Sequence, residues 1–318
     1  MNVDIENNEA EIDAPKRFQI LLCIDGSEES KRGLRYAVKI GQGSDADITI
    51  LYVRPIDKGM RHTMNLARQN MLDWGFELPG MRALKDARDQ LVDLGFLGEN
   101  WNEEKVRKRA YGDPIGDSMK MYTNEEGKTV SIKIMVAPSM AAGILDECEL
   151  NNYDLTILAL TGEGAANVRG KIKWKTTQTV VTEHHGSVLL ARGIAENRGH
   201  LICVNDEKSI EAAQHDALLA SRCDCPVYLF SVAETEDKIE SAKQAIEKAK
   251  QAIESAGVQV VDNWVAVGNP ADEIIEHGKD FSVIVMADSS VKGFRRFFQS
   301  SVAYDVLQHA YNSVMIIR

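Results

Sequence analysis

Three groups of residues have the types and spacing to do chemistry. The first stands just after short apolar runs. Asp25-Gly26-Ser27 follows Phe18 to Ile24, and Thr161-Gly162-Glu163-Gly164 follows Leu155 to Leu160. Glycines let a backbone approach a phosphate closely, and the N–H groups at a following helix start favour an anion. On its own, Gly162-Glu-Gly164 is a weak phosphate-loop signal. The second group is Cys223-Asp-Cys225, a thiol pair or half of a metal site. Two ligands are too few for a structural metal, and no Cys or His pair at zinc spacing accompanies them. The third is His184-His185, just before an apolar run. A metal role there is weighed against a cation at a helix end, and the helix-end reading is preferred. Nucleophilic catalysis has no support: there is no Gly-x-Ser-x-Gly elbow, Walker loop or H-E-x-x-H. No catalytic residue and no metal site is expected.

The elements that must hold these residues alternate. Phe18 to Ile24 is too short for a helix and suits a strand buried on both faces. Ser27 offers an N-cap, with Glu28 and Glu29 in the first turn. Leu34, Ala37, Val38 and Gly41 share one helical face, and Asp47 to Val53 reads as the next strand. Further on, Thr235 to Ala256 carries apolar residues at three- and four-residue steps, and Gly257 ends it. Val258 to Val267 reads as a strand, Pro270 to Gly278 as a helix and Phe281 to Met286 as a strand. A helix over about Ser300 to Ala310 then leads into a strand, Ser313 to Ile317.

The chain repeats itself. Asp154 to Leu160 resembles Asp280 to Met286 at an offset of 126 residues, which also carries Val188-Leu-Leu-Ala-Arg192 onto Val314-Met-Ile-Ile-Arg318. At the front of each copy, Leu22-Cys-Ile-Asp25 answers Ile202-Cys-Val-Asn205 at an offset of 180. The first copy therefore holds about 54 extra residues, placed mainly within 56–128. The division expected is an acidic disordered tail over 1–16, a first domain over 17–193, a linker at 194–198 and a second domain over 199–318. Each domain is expected to be a five-stranded parallel α/β sheet with helices on both faces, of Rossmann-like nucleotide-binding type. Ligands of such sheets bind beyond the carboxyl ends of the strands, where the strand order reverses. Asp25, Val53 and Thr161 to Gly164 fall at such ends.

With 37 Lys and Arg against 48 Asp and Glu, the chain carries a net charge of −11. That disfavours nucleic acid and anionic membrane as partners, since binding phosphates needs clustered bases. No apolar stretch approaches the ~18 residues of a membrane span. The tail lacks the features of a secretory signal. Five cysteines, with Cys23 and Cys203 in apolar runs, suit reduced thiols and a cytoplasmic setting.

The opening, Ile20-Leu-Leu-Cys-Ile-Asp-Gly-Ser-Glu-Glu-Ser-Lys-Arg-Gly-Leu34, resembles that of a universal stress protein domain. Gly268-Asn-Pro-Ala-Asp-Glu-Ile-Ile275 and Ser301-Val-Ala-Tyr-Asp-Val-Leu-Gln-His-Ala310 resemble its closing half. The resemblance implies a tandem member of that family, with ATP or another adenine nucleotide as ligand. Nucleotide-binding members carry Gly-x-x-Gly, nine residues, then Gly-Ser or Gly-Thr; an Asp ending the first strand and a Val ending the second hold the adenosine end. Carried over by position, the first domain has Asp25, Val53, Thr161, Gly162, Gly164 and, at the phosphate end, Trp174-Lys175. The second has Asn205, Val232, Ala287, Ser290, Ser300 and Ser301. Neither keeps the whole pattern. Trp174 replaces a glycine and is expected to fill phosphate space, while Lys173 and Lys175 can supply charge.

The resemblance also implies pairing of the last strands, here antiparallel between the two domains, an internal pseudo-dimer. Strands so apolar are an aggregation hazard unless covered. Two surfaces are weighed as partner sites, Trp74 to Met81 and Arg295-Arg296 among Phe294, Phe297 and Phe298; an inward-packing turn is preferred for the latter. The expected function is non-enzymatic: stress-response binding and regulation through a degenerate adenine-nucleotide site. The alternative is a scaffold with decayed pockets that binds a protein partner. Self-association as a homodimer is a further expectation.

Overall fold

The computed structural model describes residues 17–56, 79–108, 116–159, 174–193, 198–288 and 301–318. The tail at 1–16 and most of the linker lie outside them, as does the Arg295-Arg296 segment.

In the first domain the chain runs β1 (Gln19–Cys23), α1 (Glu28–Ser44), β2 (Asp47–Pro55), α2 (Pro79–Asp93), β3 (Asn102–Lys108), β4 (Asp117–Thr123) and β5 (Thr129–Ala137). It continues through α3 (Met140–Leu150), β6 (Leu155–Ala159), α4 (Trp174–Glu183) and β7 (Ser187–Ala191). The second domain holds β8 (His200–Cys203), α5 (Glu207–Arg222), β9 (Val227–Ala233) and α6 (Ile239–Ser255). It ends with β10 (Val260–Val267), α7 (Pro270–Gly278), β11 (Val283–Ala287), α8 (Val302–His309) and β12 (Ser313–Ile317).

Among the described residues, twelve strands form one sheet, in the order β10-β9-β8-β11-β12-β7-β6-β1-β2-β5-β4-β3. The second domain supplies five parallel strands. The first supplies five parallel strands and two more, correcting the five-stranded expectation. The extra pair is the antiparallel hairpin β3–β4, which joins the sheet through β5. The extra sequence thus adds a hairpin, while α2 occupies the same place in the order as α6 of the second domain. The outer strand β3 reads Asn-Glu-Glu-Lys-Val-Arg-Lys, and such a charged edge resists pairing with another chain.

Period-two alternation divides the strand side chains between two cores. Ile20, Leu22, Ile48 and Ile50 face the layer that contains Leu34, Leu84, Leu219 and Ile246, from α1, α2, α5 and α6. Leu21, Leu51 and Val53 face the layer that contains Ile144, Val180, Ile274 and Leu307, from α3, α4, α7 and α8. Both faces of the sheet are covered, so the central strands are mostly apolar on both sides, with a few buried polar residues such as Thr156, Ser187, His200 and Ser313.

The domains join where β12 meets β7 antiparallel, with Val314 opposite Leu190, Met315 opposite Leu189 and Ile316 opposite Val188. All six side chains are buried, and each last strand covers the other. Because this one pairing is antiparallel, the carboxyl edges of the two domains lie on opposite sides of the common sheet. The same seam brings α1 against α5. A Cβ at Gly43 would stand 1.8 Å from the carbonyl oxygen of Arg222, so only glycine permits the approach.

Candidate functional site

The strand order of the first domain reverses at β1, which has β2 on one side and β6 on the other. Their connections leave in opposite directions and open a crevice at the carboxyl edge. Asp25 stands on that edge, and Ala159 ends β6 beside it. The loop at 160–173 follows, outside the described residues, and with it Thr161, Gly162 and Gly164.

Asp25 is half-buried and held in a set orientation. The Ser27 N–H donates to its Oδ1 at 3.0 Å, and the Ser30 hydroxyl donates to the same oxygen at 2.8 Å. In return the Asp25 N–H donates to Ser30 Oγ at 3.0 Å. Ser27 also caps α1, its hydroxyl oxygen accepting from the Ser30 N–H. Gly26 takes φ +80°, a left-handed turn between strand end and cap that favours glycine. The spacing Asp-Gly-Ser-x-x-Ser thus builds a rigid carboxylate on a helix N-terminus. Ser30, buried under Asp25, was not among the residues singled out from sequence; the i, i+3 pair of serines was its only signal.

Val53, at the end of β2 on the same edge, is buried. Beside it Tyr52 has its hydroxyl pKa raised, by burial first and then by the nearby Asp25 charge. Arg54 extends the same strand end, a cation that the sequence reading did not single out. Lys175 lies exposed in the first turn of α4. Trp174, at the start of that helix, places its ring 5.9 Å from Tyr304 of α8. Its indole therefore packs across the domain seam against Tyr304.

In the second domain the order reverses at β8, between β9 and β11. Asn205 is exposed on that edge. The neighbouring Asp206 is engaged locally: its carboxylate accepts from the Ser209 N–H at 2.8 Å and caps α5. Val232 is buried, and Ser301 caps α8 by accepting from the Tyr304 N–H at 3.2 Å. Ser290 and Ser300 lie outside the described residues. Asp288, just past β11, is ion-paired to Arg318 at 2.7 Å.

The other expectations resolve as follows. His184 is buried, with Nε2 3.2 Å from Thr156 Oγ1, and the cation at the end of α4 is Arg318. Gly80 is buried against Tyr52, so this part of the Trp74 to Met81 segment is packed; residues 74–78 lie outside the described ones. A cleft of about 370 Å³ opens between α2 and the hairpin, with Asp89, Asp93, Glu99 and Glu103 against Arg88. Its charge has the wrong sign for phosphates. Among the described residues, no group of three or more His, Cys, Asp or Glu could hold a metal ion. No helix among them is long and apolar enough to cross a membrane.

Comparison with known proteins agrees with this architecture. The profile of the universal stress protein family matches residues 17–192 and 201–318. No curated protein matches the chain. A universal stress protein from Archaeoglobus fulgidus DSM 4304 aligns over 94% of this chain and 98% of its own, at 14% identity and a TM-score of 0.61. A putative universal stress protein from Pseudomonas aeruginosa UCBPP-PA14 aligns over 94% and 92%, at 14% identity and a TM-score of 0.60. At those identities the likeness speaks for the fold. With the family profile covering both halves, the chain belongs to the universal stress protein family and carries two of its domains in tandem.

Proposed function

We propose that this protein is a non-catalytic binding and regulatory protein of the stress response, and that its first domain takes an adenine nucleotide at the crevice between β1 and β6. The observation that carries the reading is the Asp25 carboxylate, half-buried at the reversal point and oriented by Ser27 and Ser30. A fixed carboxylate there suits the hydroxyl groups of an adenosine ribose, because hydrogen bonds to a charged acceptor are the strong ones. The N-terminus of α4 follows the loop from β6, and Lys175 in its first turn suits phosphate. The second domain lacks this arrangement: Asn205 carries no charge, and Asp206 caps α5. The first domain is therefore the binding domain.

An adaptor role is the competing reading. The hairpin β3–β4 favours it, since it belongs to the first domain alone and lines an acidic cleft. The two are separated by denaturing the purified protein and chromatographing what it releases, together with equilibrium dialysis against ATP, ADP and AMP. Retained or bound adenine nucleotide at one per chain supports the first reading. Absence of binding to all three at millimolar concentration supports the second.

A further inference from the structure

The polar cluster at the domain seam is closed to ligands. His200, the first residue of β8, and Asp216 on α5 are both buried. His200 Nδ1 lies 2.8 Å from Asp216 Oδ2, and Nε2 lies 2.7 Å from the hydroxyl of Tyr36 on α1. Both ring nitrogens are taken, and the cluster serves as a joint between the domains. The cleft of about 370 Å³ between α2 and the β3–β4 hairpin is open, and the nucleotide site does not use it. Its volume lies within the roughly 300–1,000 Å³ of small-ligand sites.

Tyr122, on β4, lines this cleft and is 4% exposed. Its hydroxyl is buried and has no hydrogen-bond partner. Arg88 and Glu103 stand nearby without reaching hydrogen-bond geometry. An unbonded buried hydroxyl costs free energy, so a ligand that supplies a partner gains by it. Burial first, and then the Glu103 charge, raise the hydroxyl pKa; it stays neutral at pH 7, with an oxygen able to accept. The carboxylates of the cleft are unevenly engaged. Asp89 is paired with Arg88 at 2.8 Å, and Glu103 with Lys105 at 3.0 Å and Lys120 at 3.3 Å. Asp93, which ends α2, and Glu99, in the turn after it, are exposed and make no ion pair among the described residues. Apolar lining comes from Val92, Leu97 and Trp101.

We propose that this cleft binds a linear aliphatic polyamine, with one ammonium donating to the Tyr122 hydroxyl and others set against Asp93 and Glu99. The excess of carboxylates excludes an anion as the occupant. A point cation fits no better, since among the described residues no group of three or more His, Cys, Asp or Glu could hold a metal ion. Carboxylates that stand apart match ammonium groups that stand apart. The methylenes between those groups suit Val92 and Leu97, and an indole favours a cation near its ring. A lysine side chain of another protein offers the same ammonium, but only one charge, where the cleft presents two unpaired carboxylates.

The test is calorimetric titration of spermidine into the whole protein at about 0.15 M salt, which screens loose counter-ion attraction. Wild type is expected to bind one spermidine per chain, and magnesium chloride at the same concentration should not displace it. Tyr122→Phe removes only the hydroxyl; it should bind about tenfold more weakly and melt no lower than wild type. Asp93→Asn combined with Glu99→Gln should weaken binding by about fivefold. Glu240→Gln combined with Glu254→Gln, at exposed positions of α6, makes the same change in net charge and should leave the affinity as it is. The proposal is overturned by an absence of saturable binding, by displacement with magnesium, by equal affinity of Tyr122→Phe and wild type, or by equal weakening in the α6 variant. A lysine peptide that binds where spermidine does not would overturn it too, and would point to a protein partner.

Discussion

The guanidinium of Arg318 donates to the carbonyl oxygen of His184, 2.8 Å away in the other domain. It reaches the carbonyl of Val181 as well, and so closes the carboxyl end of α4. Arg192 does the same in reverse, donating to the carbonyls of Leu307, at 2.6 Å, and Ala310 at the end of α8. Each copy of the repeat thus ends on an arginine that caps a helix in the other copy. A planar, permanent cation suits the unsatisfied carbonyls and the negative end of the helix dipole.

Removing one of these arginines should loosen the seam. Arg318→Ala is expected to lower stability by about 2–3 kcal/mol, the value of hydrogen bonds to a charged group with several acceptors left unpaired. Arg318→Lys should recover less than half, since an ammonium cannot fork across two carbonyls. Urea unfolding of the three proteins checks this, and a neutral Arg318→Ala would contradict it.

The seam ladder gives a second expectation. Ile316 lies opposite Val188 in the middle of β12, so Ile316→Pro removes a central strand N–H. Native-state hydrogen exchange should show slow amides at 188–191 and 314–317 in wild type, and fast ones there in the variant. Wild-type amides in those strands that exchange as fast as residue 193 would mean that the strands are unpaired.

A third concerns pH. His200 is raised to about 10 in the folded protein by Asp216. A group with a raised folded pKa gives stability that is whole below its unfolded value, ~6.5, and is lost as pH rises through the folded value. The melting temperature should therefore decline between neutral pH and about 10. Other groups titrate there too, so the reference is the His200→Gln, Asp216→Asn double variant, which removes both charges and keeps the shapes. It should decline less than wild type; equal slopes would show that the pair is not linked to folding.

Much of this was legible in the sequence because it is local or repeated. The offset that carries Arg192 onto Arg318 placed both seam strands, and Pro270 to Gly278 matched its helix end to end, with Pro at its first residue and Asn269 as its N-cap. The hairpin was not legible. Asn102–Lys108 has one apolar residue in seven, because an edge strand at the end of the sheet buries no full face. Nothing in the residues next to His200 marks its role. Its role depends on Tyr36, 164 positions earlier, a pairing that only the folded seam creates. The same holds for Trp174, whose partner Tyr304 comes from the other domain.

The binding site itself is tested most directly by calorimetric titration of ATP into wild type, Asp25→Ala and Asn205→Ala, with melting temperatures measured alongside. Wild type should bind one nucleotide per chain. Asp25→Ala should bind roughly 10–150-fold more weakly, the loss of a hydrogen bond to a charged group of about 1.5–3 kcal/mol. Asn205→Ala, at the matching position of the second domain, should bind like wild type. Equal affinity of wild type and Asp25→Ala, with both proteins folded, would contradict the assignment of the nucleotide to the crevice between β1 and β6.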